Sequence, residues 1–288
     1  MRRAAFLALV LFALAFGVAR AATYASPDAA AAALAAAVRK NDERAIEAVL
    51  GPGSHRLVHS GDAVADRAGR DGFIKAYDAK HSIAAQGDEA TLIIGAEDYP
   101  FPIPLKHQGN GWRFDTRAGA QEIIDRRVGR DELDAIETCR AIVDAERDYA
   151  AVFAEYAQKF VSDPGKKNGL YWPASEGGPE SPLGPMVTAA RAQGYNGHHT
   201  PYHGYFFKLL TGQGPHAADG ARSYVVQGRM IGGFAVLAYP ANWGNTGVMS
   251  FIVNQDGVVY QRNIGRNTGA IAAALTRYDP GPGWNPVK

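Results

Sequence analysis

At 288 residues and 30.7 kDa the chain can form one large domain or two small ones, each with a self-sufficient core. Hydrophobic residues make up 47% and charged residues 20%, which excludes wholesale disorder, and 30 Lys+Arg against 29 Asp+Glu leave no cationic stripe for a nucleic-acid backbone. The single cysteine excludes an intramolecular disulfide and a four-cysteine zinc site.

Arg2 and Arg3 precede an apolar run of fifteen residues, Ala4 to Val18, followed by Ala19-Arg20-Ala21, a small-x-small site of the kind a signal peptidase cuts. Residues 1–21 are therefore expected to be a secretory signal peptide. The run falls short of the roughly 20 residues that a bilayer span needs, and no later segment is apolar enough. The released chain is expected to be exported, soluble, and periplasmic or envelope-associated, with no transmembrane segment. A lipoprotein is not expected, because the only cysteine is Cys139, far from the cleavage point. Three basic residues leave with the signal, so 27 basic groups face 29 acidic ones, a net charge of −2.

In the remaining chain, Ser26-Pro27-Asp28 predicts a capped helix start, with Leu34 and Val38 on its apolar stripe. A second helix from Asp42 carries Ile46, Val49 and Leu50 and stops at Gly51-Pro52, which makes a helical hairpin. Arg70 to Lys80 is predicted as an amphipathic helix that buries Phe73, Ile74 and Tyr77. Strands are expected at Thr91–Gly95, Phe101–His107 and Trp112–Asp115, the last two joined at Asn110-Gly111.

Gly119 to Val161 is predicted as helical with a break at Gly129. Its stripe is Leu133, Ile136, Cys139, Val143, Tyr149, Val152, Phe153, Tyr156 and Phe160, while Asp131, Glu132, Asp134, Glu137, Arg140, Asp144, Glu146, Arg147 and Asp148 are expected on the solvated side. A Gly/Pro/Ser-rich loop follows, then a helix that starts at Ser181-Pro182. Further strands are expected at Tyr205–Leu210, Ser223–Val226, Met230–Tyr239, Val248–Val253 and Val258–Gln261. Gln227-Gly228 and Asp256-Gly257 are predicted turns, and Gly232-Gly233 marks a bulge or close crossing. A short helix at Ala270–Thr276 precedes a Pro/Gly tail.

The fold class is thus α+β. A helical hairpin and antiparallel meander occupy 22–117, a long helix packed on an antiparallel sheet occupies 118–278, and 279–288 is a C-terminal tail.

Trp112-Arg113-Phe114-Asp115, Arg126-Arg127-Val128-Gly129-Arg130-Asp131-Glu132-Leu133, Tyr202-His203-Gly204-Tyr205-Phe206-Phe207 and Gly247-Val248-Met249-Ser250-Phe251-Ile252-Val253-Asn254-Gln255-Asp256-Gly257 resemble the exported bacterial family known as domain of unknown function 2950. The resemblance implies no activity, ligand or catalytic residue. The second half also resembles the globular head of type IV pilins and pseudopilins, through its long helix, Gly/Pro loop, Gly-Tyr-Phe-Phe strand and strand pair around Tyr239-Pro240 and Asp256-Gly257. That likeness implies a helix lying across an antiparallel sheet. An entire α+β module stands where a pilin has its membrane helix, so assembly into a pilus is not implied. The first module loosely resembles a nuclear-transport-factor-2-like cone.

His198, His199 and His203 place three imidazoles within six residues and could ligate zinc, but Pro201 forbids the regular helix that puts histidines four apart on one face. The glycines at 212–214 and 228–233 open no helix after a strand and carry no Gly-Lys-Ser/Thr, so they are read as turns. Ser60-Gly61-Asp62 beside His59 is a polar turn, since sequence neighbours cannot aim side chains at one another in a relay. Cys139, on the apolar stripe, is expected to be a buried hydrophobe. Tyr171, Trp172, Tyr195, Tyr202, Tyr205 and Trp243 could form an aromatic binding surface for a glycan or an envelope protein, or could seal the loops over the sheet.

The expected function is non-enzymatic binding or scaffolding in the cell envelope, with no cofactor. The alternative is a metal-assisted, zinc-dependent hydrolase built on His199 and His203.

Overall fold

A computed structural model describes residues 22–174, 180–196 and 200–287 of the chain. The segment expected to be a signal peptide, and His198 and His199, lie outside them.

Side-chain caps define the first helices. Ser26 Oγ accepts the Ala29 N–H at 3.1 Å and starts α1 (Pro27–Arg39); an Asp42 carboxylate oxygen accepts the Ala45 N–H at 3.0 Å and starts α2 (Glu43–Leu50). Leu34 and Val38 pack against Ile46, Val49 and Leu50, as their spacing predicts. After a single turn, α3 (His55–Val58), comes α4 (Ala63–Ala79), which begins well before the expected Arg70. Its cap is Asp62, whose Oδ1 accepts from Val64 and Ala65 N–H at 3.1 and 3.0 Å. The first turns of α4 are mostly alanine and charge, so they carry no apolar period to read.

The first sheet is antiparallel, with β1 (His81–Gln86), β2 (Glu89–Ile94), β3 (Tyr99–Pro100), β4 (Leu105–Gln108) and β5 (Gly111–Phe114). The order is β1-β2-β4-β5, and β3 pairs with β2. Three expectations are corrected here. β1 was not anticipated, because it is exposed along most of its length and shows no alternation. The Phe101–His107 strand shrinks to β4, since Pro102 and Pro104 lack the N–H groups a ladder needs. The turn sits at Gly109-Asn110, with Gly109 at φ 65, one residue earlier than expected. Gly111 serves close approach instead: a Cβ on it would lie 2.5 Å from the Tyr24 carbonyl oxygen, because Tyr24 bridges to Trp112.

The long helix, α5 (Thr116–Phe153), runs 38 residues without a break. Gly129 faces open space, so it weakens the helix without ending it. The end comes at Ala154, in the left-handed region at φ 54. α5 serves two cores: Ile123 packs on the first, whereas Ala135, Ile136, Cys139, Ile142, Val143 and Tyr149 belong to the second. The expected stripe needs revision at its edges. Leu133 and Val152 are each 66% exposed, and Tyr156 and Phe160 reach the core from beyond the helix end.

Past α6 (Gly184–Ala192) the chain forms β6 (Tyr205–Leu210), β7 (Gly212–Gln213), β8 (Arg222–Ser223), β9 (Val225–Val226), β10 (Arg229–Met230), β11 (Ala235–Pro240), β12 (Ser250–Asn254) and β13 (Tyr260–Arg262). It closes with α7 (Thr268–Ala274), β14 (Arg277–Tyr278) and β15 (Asn285–Pro286). The main sheet is antiparallel in the order β15-β13-β12-β11-β6. α5 packs on β11 and β12, and α7 also packs on β11, which explains why these two central strands are buried almost throughout. The long helix on an antiparallel sheet and the α+β class are thus both observed.

Gln227 and Gly228, at φ 51 and 79, make the predicted two-residue turn between β9 and β10. Gly232 and Gly233 make the predicted close crossing, where a Cβ would lie 2.7 Å from the Ser223 carbonyl oxygen and 2.8 Å from Gln255 Oε1, respectively. Within the expected C-terminal tail, the described residues 279–287 do not hang free: β15 extends the sheet beside β13, and Trp284 and Val287 pack on the second core. No helix among the described residues is long and apolar enough to cross a membrane.

Candidate functional site

Midway along α5 the charged run Arg126 to Glu132 passes between elements from both halves of the chain. The Arg127 guanidinium donates to the carbonyls of Arg56 and Leu57 at 2.9 and 2.8 Å and to Asn245 Oδ1 at 2.9 Å. Asn245 is fully buried and donates in turn to the carbonyls of His59 and Ser60 at 3.2 and 3.1 Å. Glu132 Oε1 accepts the N–H groups of Val248 and Met249 at 2.8 and 2.9 Å. Buried Asp62, besides capping α4, accepts the Tyr195 hydroxyl at 3.0 Å and the Gly204 N–H at 2.8 Å.

Asp131 completes this knot. Burial pushes its carboxyl up to about 7, although Arg130, 3.2 Å away, pulls in the other direction. Gly204, at φ 75, lies so close that a Cβ would sit 2.7 Å from Asp131 Oδ2. Burial also lowers the Arg127 pKa from its ordinary value, opposed by Asp66 and Asp131. Three of the segments that carry the family resemblance, 126–133, 202–207 and 247–257, therefore converge at this junction. Its polar groups cap and cross-link, and Ser60 Oγ accepts the Asp62 N–H at 3.0 Å as a polar turn should.

Beside the junction lies a cavity of about 450 Å³, within the range of small-molecule sites. Leu34, Val38, Ile46, Leu50, Val58, Phe73 and Ile123 from five helices, Ile94 from β2, and Phe101 and Ile103 from the link between β3 and β4 wall it. Arg70, Arg126, Arg127 and Arg130 line it, and Asp66 is the carboxylate among the described lining residues; Arg70, Arg126 and Arg130 also pair with Glu43, Glu122 and Asp131. Arg126 lies over the Tyr99 ring at 5.2 Å, and Arg130 is 62% exposed beside the junction. Gly69 and Gly72, three apart in the interior of α4, also line the space, and a Cβ on either would meet nothing within 4 Å. Each costs the helix about 1 kcal/mol against alanine, and each leaves room in the cavity wall.

The sequence-derived candidates fall elsewhere. His203 sits at φ 48 with Nδ1 3.2 Å from Asp134 Oδ2, and its ring meets Tyr202 and Tyr195 at centroid distances of 4.3 and 5.6 Å. Among the described residues, the histidine and carboxylate group close enough to share a metal ion is Glu47, His55 and His59.

The six aromatic residues divide. Tyr171, Trp172 and Tyr205 are buried, and Tyr195, Tyr202 and Trp243 are half-buried. Tyr171, Trp172 and Tyr195 line a second cleft, of about 770 Å³, with Lys166, Lys167, Arg191 and Asn196. Several ring faces already carry a cation of the chain: Arg191 lies 5.0 Å over Tyr171, Lys167 5.7 Å over Trp172, and Arg266 5.4 Å over Trp243. The Tyr205 hydroxyl donates to the Met249 carbonyl at 2.8 Å, inside the core.

Cys139 is fully buried, and burial pushes its thiol up to about 12. The expected solvated side of α5 is corrected at three carboxyls: Asp131 and Glu146 are buried, and half-buried Glu132 is held by the Val248 and Met249 N–H groups. Glu146 is fully buried; its Oε2 accepts the Ala157 N–H at 2.8 Å, Oε1 has no partner among the described residues, and burial raises its pKa to about 8.

Sequence reading missed the arginine-rimmed cavity. Its signals were present: Arg126, Arg127 and Arg130 lie within a turn of one helix, and Gly69 and Gly72 stand three apart inside another. No curated protein and no solved structure matches the chain. The family model described as protein of unknown function (DUF2950) matches residues 21–287, nearly the whole sequence, and the chain belongs to that family.

Proposed function

We propose that the chain is an exported, non-enzymatic binding protein of the bacterial cell envelope, and that its ligand is an amphiphilic anion held in the arginine-rimmed cavity. The carrying observation is the combination of apolar walls with a rim of four arginines, of which Arg70 and Arg127 are held by Glu43 and the junction, while the more exposed Arg126 and Arg130 pair with Glu122 and Asp131 at the rim. Such a site favours an alkyl or aryl body with a carboxylate or phosphate head. Residues 22–117 supply most of the walls and α5 supplies most of the arginines, so 118–278 acts as the support that fixes the rim. Arg2-Arg3, the apolar run and Ala19-Arg20-Ala21 support export, and the family match beginning at residue 21 fits a mature chain that starts beside it. The carboxylates Asp62, Asp66 and Glu132 near the cavity are committed to backbone N–H groups, which favours binding over catalysis. This reading calls for no cofactor.

Displacement of a fluorescent apolar probe tests it. Dodecanoate is expected to displace the probe, whereas acetate and uncharged dodecanol compete far less well, and Arg130→Ala weakens dodecanoate alone. Equal competition by dodecanol and dodecanoate would remove the anionic head from the proposal.

A second reading, binding of a glycan or envelope protein at the Tyr171–Trp172–Tyr195 cleft, is favoured by that cleft's larger volume. Trp172→Ala would then abolish capture of the partner and leave dodecanoate binding intact.

A further inference from the structure

A site apart from the cavity carries an independent inference. α2 places Glu43 and Glu47 one turn apart on one face, and the turn of α3 places His55 and His59 four apart, so that both imidazoles meet the carboxylates of α2. His55 Nδ1 stands 2.9 Å and His59 Nε2 3.2 Å from the same oxygen, Glu47 Oε1. The two rings are 4.6 Å apart, and the three ligand atoms lie within 4.8 Å of one another.

We propose that Glu47, His55 and His59 bind a divalent transition-metal ion of the zinc class. Metal–ligand bonds of roughly 2.0–2.1 Å in a tetrahedron put neighbouring ligand atoms about 3.3 Å apart, which is close to the two separations seen here. A ring nitrogen from each imidazole converges on one carboxylate oxygen. Together they form a natural set of nitrogen and oxygen ligands. The other ring nitrogen of His59, Nδ1, lies 3.7 Å from Glu43 Oε2, and Glu43 is held by Arg70 at 3.2 Å. At that separation Glu43 is a nearby acidic group and not a hydrogen-bonded partner of the ring, and it would have to move closer to orient a ligating imidazole. His55 and His59 side chains are 75% and 39% exposed, so an ion has a path in and the fourth position is open to solvent. The ion would tie α2 to the segment whose backbone carbonyls Arg127 and Asn245 grip, linking the metal to the junction between the two halves.

The test is calorimetric titration of the purified, untagged chain with zinc chloride, with metal content checked after dialysis. One zinc ion per chain is expected. His55→Ala with His59→Ala should weaken binding about a hundredfold or more, and Glu47→Gln about tenfold. Because His55 is well exposed, His55→Ala alone keeps the fold and must also weaken binding. Absence of uptake by the unaltered chain overturns the proposal. Undiminished uptake by the variants also overturns it, and would place the metal at other residues, such as those around His203.

Discussion

Arg127 and Asn245, 118 residues apart in sequence, meet through a 2.9 Å hydrogen bond, and each also binds backbone carbonyls of the segment from Arg56 to Ser60. Arg127→Met would leave two carbonyls and the Asn245 side-chain oxygen without this donor, at a cost of about 3 kcal/mol. In a double-mutant cycle with Asn245→Ala, urea unfolding should show a coupling of about 1–2 kcal/mol. Strict additivity would mean that the two residues stabilise the junction separately.

Glu146 makes stability depend on pH in a defined direction. In the folded chain its carboxyl holds a proton up to about pH 8, whereas in the unfolded chain it loses it near the ordinary value of about 4.3. Between these values the unfolded state binds fewer protons. Stability therefore falls as pH rises through the window, by about 1.4 kcal/mol per unit from this group, and is unaffected by it below. Glu146→Gln keeps an acceptor for the Ala157 N–H and should remove that slope, raising the melting temperature at pH 8 but not at pH 4. Parallel pH profiles for the two chains would contradict the burial of a neutral acid.

Much of this was legible in one dimension, and the exceptions have physical causes. The caps at Ser26 and Asp42, the β6 run and the Gln227-Gly228 turn are local signals, and they appear where the residues place them. β1 is a nearly exposed strand that buries too little to leave an alternation. Glu146 lies three residues after Val143 and seven after Cys139, on the stripe itself, but charge argued for solvent and the fold overruled it. The cavity draws its walls from segments scattered between Leu34 and Arg130. An apolar residue facing an empty volume has the same periodicity as one facing a neighbour.

Cys139 is expected to behave as a core hydrophobe. A thiol reagent should label it only at the rate of global unfolding, because the side chain is fully buried and its thiolate strongly disfavoured. Rapid labelling of the folded chain would show that α5 lifts from the sheet.

Export has a direct readout. The chain recovered from the envelope should begin near Ala22, and a soluble chain that still carried Met1 to Val18 would contradict removal of the apolar run.

The most direct measurement is calorimetry of straight-chain carboxylates of increasing length against the unaltered chain and Gly72→Leu. Leucine favours the helix by about 0.8 kcal/mol over glycine, so the variant stays folded while its side chain occupies cavity space. Affinity is predicted to rise about fourfold per added methylene until the cavity is full, and to drop about tenfold or more in Gly72→Leu. A length series with no trend, or a variant that binds as tightly as the original, would contradict the assignment of this cavity as the binding site.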